Sequence, residues 1–139
     1  MTNCVFCRII AGELPAFRLY EDELVVAFLD IAPLNKGHTL VVPKEHHTSL
    51  TTLPAPHAAR LMEVAPRLGA ALMRAVDCDG FNLLLANGAC AGQVVPHTHL
   101  HVIPRRPDDG VVLTARAVQY LGDQEKNEIV DKVKARLSR

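Results

Sequence analysis

Hydrophobic positions change period several times along the chain, and each change marks an element. Val5 to Ala11 reads as a short helical segment that Gly12 stops. Phe17 to Tyr20 and Leu24 to Leu29 predict two strands joined by the acidic turn Glu21-Asp22-Glu23. Asp30 to Gly37, with Pro33, Asn35 and Gly37, predicts a loop. Thr39 to Val42 predicts a third strand, closed by Pro43. From His57 to Val76 the period becomes helical: Leu61, Val64, Ala65, Leu68, Leu72 and Val76 form one apolar stripe. Pro66 falls inside that stretch and is expected to kink it or remove one backbone bond. Phe81 to Leu85 and Thr98 to Ile103 predict the last two strands. Ile129, Val130, Val133 and Leu137 outline a modest amphipathic C-terminal helix, with Asp123 expected as its cap. This order predicts an α+β fold: an antiparallel five-stranded sheet with one long helix and a C-terminal helix. A sheet this small leaves open edges, so a second copy is expected to cover them.

Length and composition narrow the function classes. The 139 residues, 49% of them hydrophobic, suit one domain spanning 1–139 with a real core. Fifteen Lys and Arg balance fifteen Asp and Glu. That neutrality argues against a nucleic-acid or anionic-membrane partner, whose binding rests on a basic surface. The longest apolar run, Leu24 to Leu29, falls far short of the roughly 18 residues of a membrane span. The start, Met1-Thr2-Asn3-Cys4, lacks the basic flank and apolar stretch of a signal peptide, so a cytoplasmic protein with reduced thiols is expected.

Of the four cysteines, Cys78 and Cys90 stand alone and read as small hydrophobes. Cys4 and Cys7 form a C-x-x-C pair, the spacing of either a redox motif or half a zinc site. The redox reading wants the pair opening a long helix after a strand, which the N-terminal position does not offer.

Three of seven histidines fall within His97-Thr98-His99-Leu100-His101. In a strand their rings would share one face at about 6.6 Å spacing, twice the rise per residue, with Leu100 and Val102 facing the core. Such a run is either a set of satisfied or solvated histidines, a one-metal site, or a centre for nucleophilic chemistry on phosphorus. Imidazole is largely neutral near pH 7, attacks phosphorus well and departs well from a phosphohistidine. Neighbouring histidines can fix its tautomer and protonate the leaving group. The preceding segment, Asn87-Gly88-Ala89-Cys90-Ala91-Gly92-Gln93, is small enough for its backbone N–H groups to close on an anion, which favours the third reading.

These residues resemble the histidine triad (HIT) family. The marks are Cys4-Val5-Phe6-Cys7-Arg8-Ile9-Ile10, Ala27-Phe28-Leu29-Asp30-Ile31 with Pro33, Gly37-His38-Thr39-Leu40-Val41-Val42-Pro43-Lys44, Ala91-Gly92-Gln93 and the triad with Val102-Ile103. The pattern is most similar to the Hint branch in its bacterial form. The resemblance implies a HIT-like fold that pairs into a ten-stranded sheet in a homodimer. It implies a purine nucleoside phosphoramidase or nucleotidyl hydrolase that cleaves at the α-phosphate, with purine mononucleotides as ligand or product. His99 corresponds to the nucleophile, His101 to the group that contacts the phosphate and assists departure, and His97 and His38 to supporting histidines. Asp30 corresponds to the acceptor of the ribose hydroxyls, and Phe6, Ile9, Phe28 and Ile31 to the cleft around the base. Asn87, Gly92, Gln93 and Val94 correspond to the phosphate side. The resemblance further implies a structural zinc on Cys4, Cys7, His46 and His97, with His47 the alternative to His46, and no metal requirement for the chemistry. His57 is expected to be merely exposed.

Two positions depart from the pattern: Ala86 where many members carry Asn, and Val94 where Hint relatives often carry a hydroxyl. The rival readings are a dinucleoside polyphosphate hydrolase, which needs room for a second nucleoside, and a nucleotide-binding regulatory module with weak catalysis.

Overall fold

The structure, a computed structural model, describes residues 3–113 and 115–137. Met1 and Thr2 of the N-terminal stretch discussed above lie outside the described residues. The elements follow the hydrophobic pattern closely: α1 (Val5–Ile10), β1 (Arg18–Glu21), β2 (Val25–Leu29), β3 (Thr39–Pro43), α2 (Ala55–Ala75), β4 (Gly80–Leu84), β5 (Leu100–Arg105) and α3 (Asp123–Leu137). The strands form one sheet in the order β1-β2-β3-β5-β4, with every neighbouring pair antiparallel.

β2 and β3 are apolar at consecutive positions because the sheet is covered on both faces where they run. On one face Val25, Ala27, Val41, Leu100 and Val102 pack against Leu61, Val64, Ala65, Leu68 and Leu72 of α2. On the other, Val26, Phe28, Leu40 and Val42 meet Cys4, Phe6 and Ile9 around α1. The register aligns Phe28, Leu40 and His101 in one row across β2, β3 and β5. Directly paired residues share a face, so this row puts a histidine beside the apolar layer under α1.

α2 continues through Pro66 as one helix. Proline has no N–H to give to the Met62 carbonyl, but both residues lie on the exposed side, where water can take that acceptor. Gly69, also in α2, is the point of closest approach to the sheet: its missing side chain leaves room for the Phe81 ring of β4.

Two expectations need correction. The last strand starts at Leu100 rather than Thr98, so among the triad only His101 lies in it. The β3–β5 ladder stops at Val41 and Leu100; beyond it the Thr98 N–H donates to the His47 carbonyl at 2.7 Å and the Pro43 carbonyl accepts from the His97 ring at 2.8 Å. Asp123 is the first residue of α3 rather than its cap, and Glu125 caps the end by accepting from the Leu121 N–H at 2.7 Å. The stripe on α3 is not covered within this chain: Ile129, Val130 and Val133 remain 44–50% exposed. Among the described residues, no helix is long and apolar enough to cross a membrane.

Candidate functional site

Two clusters of chemistry-bearing side chains lie on the α1 side of the sheet, back to back on the triad. The first is built from three separate stretches of chain. Cys4 caps α1, its sulfur accepting from the Cys7 N–H, so the helix start presents both thiols on one side. His46 follows β3 and His97 precedes β5. His97 Nδ1 lies 3.4 Å from Cys4 Sγ, 3.6 Å from Cys7 Sγ and 3.1 Å from His46 Nδ1, and His46 Nδ1 lies 3.3 Å from Cys7 Sγ. Tetrahedral zinc, with bonds of about 2.0–2.3 Å, sets its donors roughly 3.3–3.8 Å apart, so the spacing fits that ion. The protonation pattern fits as well. His97 gives its Nε2 hydrogen to the Pro43 carbonyl, which leaves Nδ1 with a free lone pair facing the thiols. His47 stands apart, held by Glu45 and Thr52. The choice between the two histidines therefore falls on His46.

The second cluster joins His38, His99, His101 and Asp30. The Leu34 N–H donates to His38 Nδ1 at 3.0 Å, which obliges a neutral His38 to carry its hydrogen on Nε2. That hydrogen goes to His101 Nδ1 at 2.8 Å, which in turn places the His101 hydrogen on Nε2. His99 gives its Nδ1 hydrogen to the His97 carbonyl at 2.7 Å and so keeps a lone pair on Nε2. The His99 and His101 ring centroids are 4.9 Å apart, closer than a shared strand would put them, and His99 precedes β5 rather than lying in it. Donor atoms of Asp30, His38 and His101 also come within 4.8 Å of one another. A metal there would need the His38 Nε2 lone pair, which the Leu34 N–H denies it, so this trio is a hydrogen-bond relay.

Burial keeps the relay neutral. Desolvation, with His99 and His38 beside it, lowers His101 from the usual 6.5 to about 4, and desolvation lowers His38 too, against the raising effect of Asp30. In the unfolded chain both take up protons near pH 6.5, whereas in the folded one His101 stays neutral until about 4. Stability from this histidine is therefore full at neutral pH and is lost as pH falls through that window, by about 2 kcal/mol between pH 7 and 5. Thermal melts at both pH values should show a steeper acid loss for the wild type than for His101→Gln. Equal slopes would refute the desolvation argument.

A cleft of about 510 Å³ opens in front of His99 and His101. Phe6, Ile9, Phe28, Asp30, Ile31, Gly92 and Val94 line it as expected, together with Val5, Phe17, Leu40 and Val95, which the sequence alone did not single out. Phe17 was legible as a strand residue only; its place at the cleft comes from the fold of the chain after α1. The Phe6 ring meets Phe28 edge-on at 5.6 Å and His99 at 5.0 Å. Asp30 accepts from the Ala32 N–H through Oδ1 and sets Oδ2 at 3.5 Å from His38 Nε2. Ile31 and Val94 are 99% and 89% exposed at its rim. Gly92 takes φ +95°, a left-handed conformation that lets the loop turn toward the histidines.

Other expected site residues lie elsewhere. Gln93 accepts from the Gly88 N–H and gives its amide hydrogens to the Thr48 and Val95 carbonyls. It holds the loop together, so its amide hydrogens are not turned to the phosphate side that the resemblance implied. Asn87 accepts from Ser49 and the Leu50 N–H and does not line the cleft. His57 is not merely exposed: its side chain is 14% accessible and Nε2 faces Glu45 at 3.6 Å.

Comparison with known proteins agrees with the geometry. The HIT domain profile matches residues 11–108. An adenylylsulfatase of Arabidopsis thaliana is 46% identical over 107 residues, 77% of this chain and 54% of that protein. An adenosine 5'-monophosphoramidase of Saccharomyces cerevisiae is 41% identical over 105 residues, 76% of this chain and 64% of that protein. The chain thus spans between half and two thirds of the length of these curated relatives. A zinc-bound histidine triad family protein from Mycobacterium smegmatis superposes with a TM-score of 0.77 at 37% identity, covering 99% of this chain and 96% of that one.

Proposed function

The chain belongs to the HIT domain family, and we propose that it hydrolyses purine nucleoside phosphoramidates and related nucleoside phosphates through a nucleotidyl-His99 intermediate. One observation carries this reading. Among the triad rings at the apolar cleft, the hydrogen-bond pattern leaves one lone pair, on His99 Nε2, and one N–H, on His101 Nε2, for an incoming group.

In the first step His99 Nε2 forms a bond to the α-phosphorus as the phosphorus–nitrogen bond of the substrate breaks. The departing nitrogen, hydrogen-bonded by the His101 Nε2–H, takes up a proton from water and leaves as an amine. In the second step a water oxygen bonds to phosphorus and the electron pair of the His99–phosphorus bond returns to Nε2. The proton that this water gives up replaces the one the amine took, so His101 stays neutral, and the nucleoside monophosphate is released. His38 keeps His101 in the donating tautomer throughout. Asp30 accepts the ribose hydroxyls, Phe6, Ile9, Phe28 and Ile31 enclose the base, and the backbone at Gly92 faces the phosphate.

The names of the two relatives support cleavage of adenylyl compounds. Cys4, Cys7, His46 and His97 hold a structural zinc in this reading, which the zinc-bound neighbour and the donor spacing support. These four residues would supply all the donors, so a bound zinc would tie the N-terminal helix to the segments after β3 and before β5 and would leave no position for water. A second copy pairs along the free edge of β4, where Leu83 and Leu84 are 37% and 42% exposed.

A dinucleoside polyphosphate hydrolase is the second reading. Among the described residues lining the cleft there is no lysine or arginine to meet extra phosphates, which favours an amine leaving group. Steady-state hydrolysis of an adenosine phosphoramidate beside a diadenosine polyphosphate decides between them. Faster cleavage of the phosphoramidate is expected, with protein-bound label from the α-phosphate recovered after a rapid quench. Preference for the dinucleotide would move the chain to the other branch. Tight binding of AMP with no turnover of either would leave a nucleotide-binding module.

A further inference from the structure

His99 touches no cysteine, yet two of its orienting contacts come from residues of the metal cluster or between them. The first is its Nδ1 hydrogen bond to the main-chain carbonyl of His97. The His97 ring is pinned through both nitrogens, Nε2 by Pro43 and Nδ1 among Cys4, Cys7 and His46, so its main chain has little freedom to turn. The second is the Phe6 ring, edge-on to His99 with an interplanar angle of 79°. Phe6 lies between Cys4 and Cys7 on a helix of six residues, far too short to be stable alone. Whatever holds the two thiols also holds that ring against the nucleophile.

We propose that the Cys4–Cys7–His46–His97 centre, when filled, positions the nucleophile: through His97 and Phe6 it sets the tautomer and orientation of His99. This rests on the reading of His99 as the nucleophile and assigns the metal a task beyond fold stability. His97 and Phe6 act here as positioning residues. The opposite face of the sheet makes the idea testable. The core formed by α2 with Val25, Ala27, Val41 and Val102 includes no cluster ligand and nothing from α1. Emptying the metal centre should therefore leave a folded protein with a misaligned His99.

The test compares zinc-loaded wild type, the same protein after chelation, and the protein reloaded with zinc. Nitrogen-15 spectra of the His99 side chain report its tautomer directly, circular dichroism reports the fold, and kcat and KM on an adenosine phosphoramidate report function. Expected on chelation are a retained far-ultraviolet spectrum, loss of the single Nδ1–H tautomer, and a fall in kcat of at least tenfold that reloading restores. A His99 that keeps its tautomer and kcat after chelation overturns the proposal. Should the chelated chain unfold, His46→Gln and His46→Cys decide the matter in the presence of zinc. The first weakens the donor set and should lower kcat, while the second keeps four good donors and should restore it. Equal kcat in both variants would also overturn the proposal. If zinc-loaded wild type turns over no phosphoramidate, the functional reading fails, while the tautomer spectra still answer the positioning question.

Discussion

His99→Ala is expected to lower turnover of an adenosine phosphoramidate by at least about a thousandfold, which corresponds to about 4 kcal/mol of lost transition-state stabilisation. The reason is that nothing else in the cleft can replace it. His101 Nδ1 is occupied by His38 and its Nε2 carries the hydrogen, so the ring offers no lone pair to phosphorus. His97 has both ring nitrogens turned away, toward Pro43 and the thiols. AMP affinity should stay within a few-fold, because Phe28, Ile31 and Asp30, the proposed base and ribose contacts, still line the cleft. Kinetics combined with calorimetric AMP titration separates the two effects. A variant within tenfold of wild-type kcat would sink the nucleophile assignment, and a parallel collapse of AMP binding would show that the ring chiefly shapes the cleft.

Gly69→Ala is expected to destabilise the fold despite alanine's better helix propensity. In α2 the replacement should gain about 1 kcal/mol from propensity alone. The added Cβ would lie within 2.7 Å of three carbons of the Phe81 ring, Cζ, Cε1 and Cε2. Phe81 is partly buried against the α2 core and paired with Pro104 of β5, so the ring cannot swing out without moving β4 or the helix. Overpacking of this kind costs up to about 3 kcal/mol, so the clash wins by roughly 2 kcal/mol. For a chain of this length that is a fall in melting temperature of about 6 °C. Phe81→Leu in the Gly69→Ala background should recover part of the loss, giving a favourable coupling in a double-mutant cycle. A higher melting temperature for Gly69→Ala alone would show that the ring relaxes freely.

The zinc-type cluster illustrates how far one-dimensional reasoning reached. Cys4 and Cys7 declared themselves by spacing, but their partners are 39 and 90 or more residues away in sequence. Residue pattern alone therefore left the ligand set open, and resemblance to a family had to complete it. His46 and His47 are neighbours of the same type, and only the turn after β3 decides which faces the thiols. Gln93 went astray for a related reason. Its composition suits an anion donor, but its hydrogens are claimed by the Thr48 and Val95 carbonyls, a contact with the 44–49 loop that local sequence does not encode.

Periodicity located the elements, because helix and strand burial leave different repeats in a chain: the α2 stripe, the strands β2 and β3, and the alternation of Leu100, His101 and Val102 all followed from it. The triad of alternating imidazoles marked a candidate chemical centre, for which nucleophilic chemistry on phosphorus was the favoured expectation. What the tertiary structure alone decided is the division of labour among them. His97 turns its ring to the thiols, His99 gives its hydrogen to a backbone carbonyl, and His101 receives one from His38. Identical side chains acquire distinct tautomers only from the partners that folding brings within about 3 Å, and here those partners are the Pro43 and His97 carbonyls and the Leu34 N–H. Such partners are set by the ends of strands and the course of loops, which no residue spacing records.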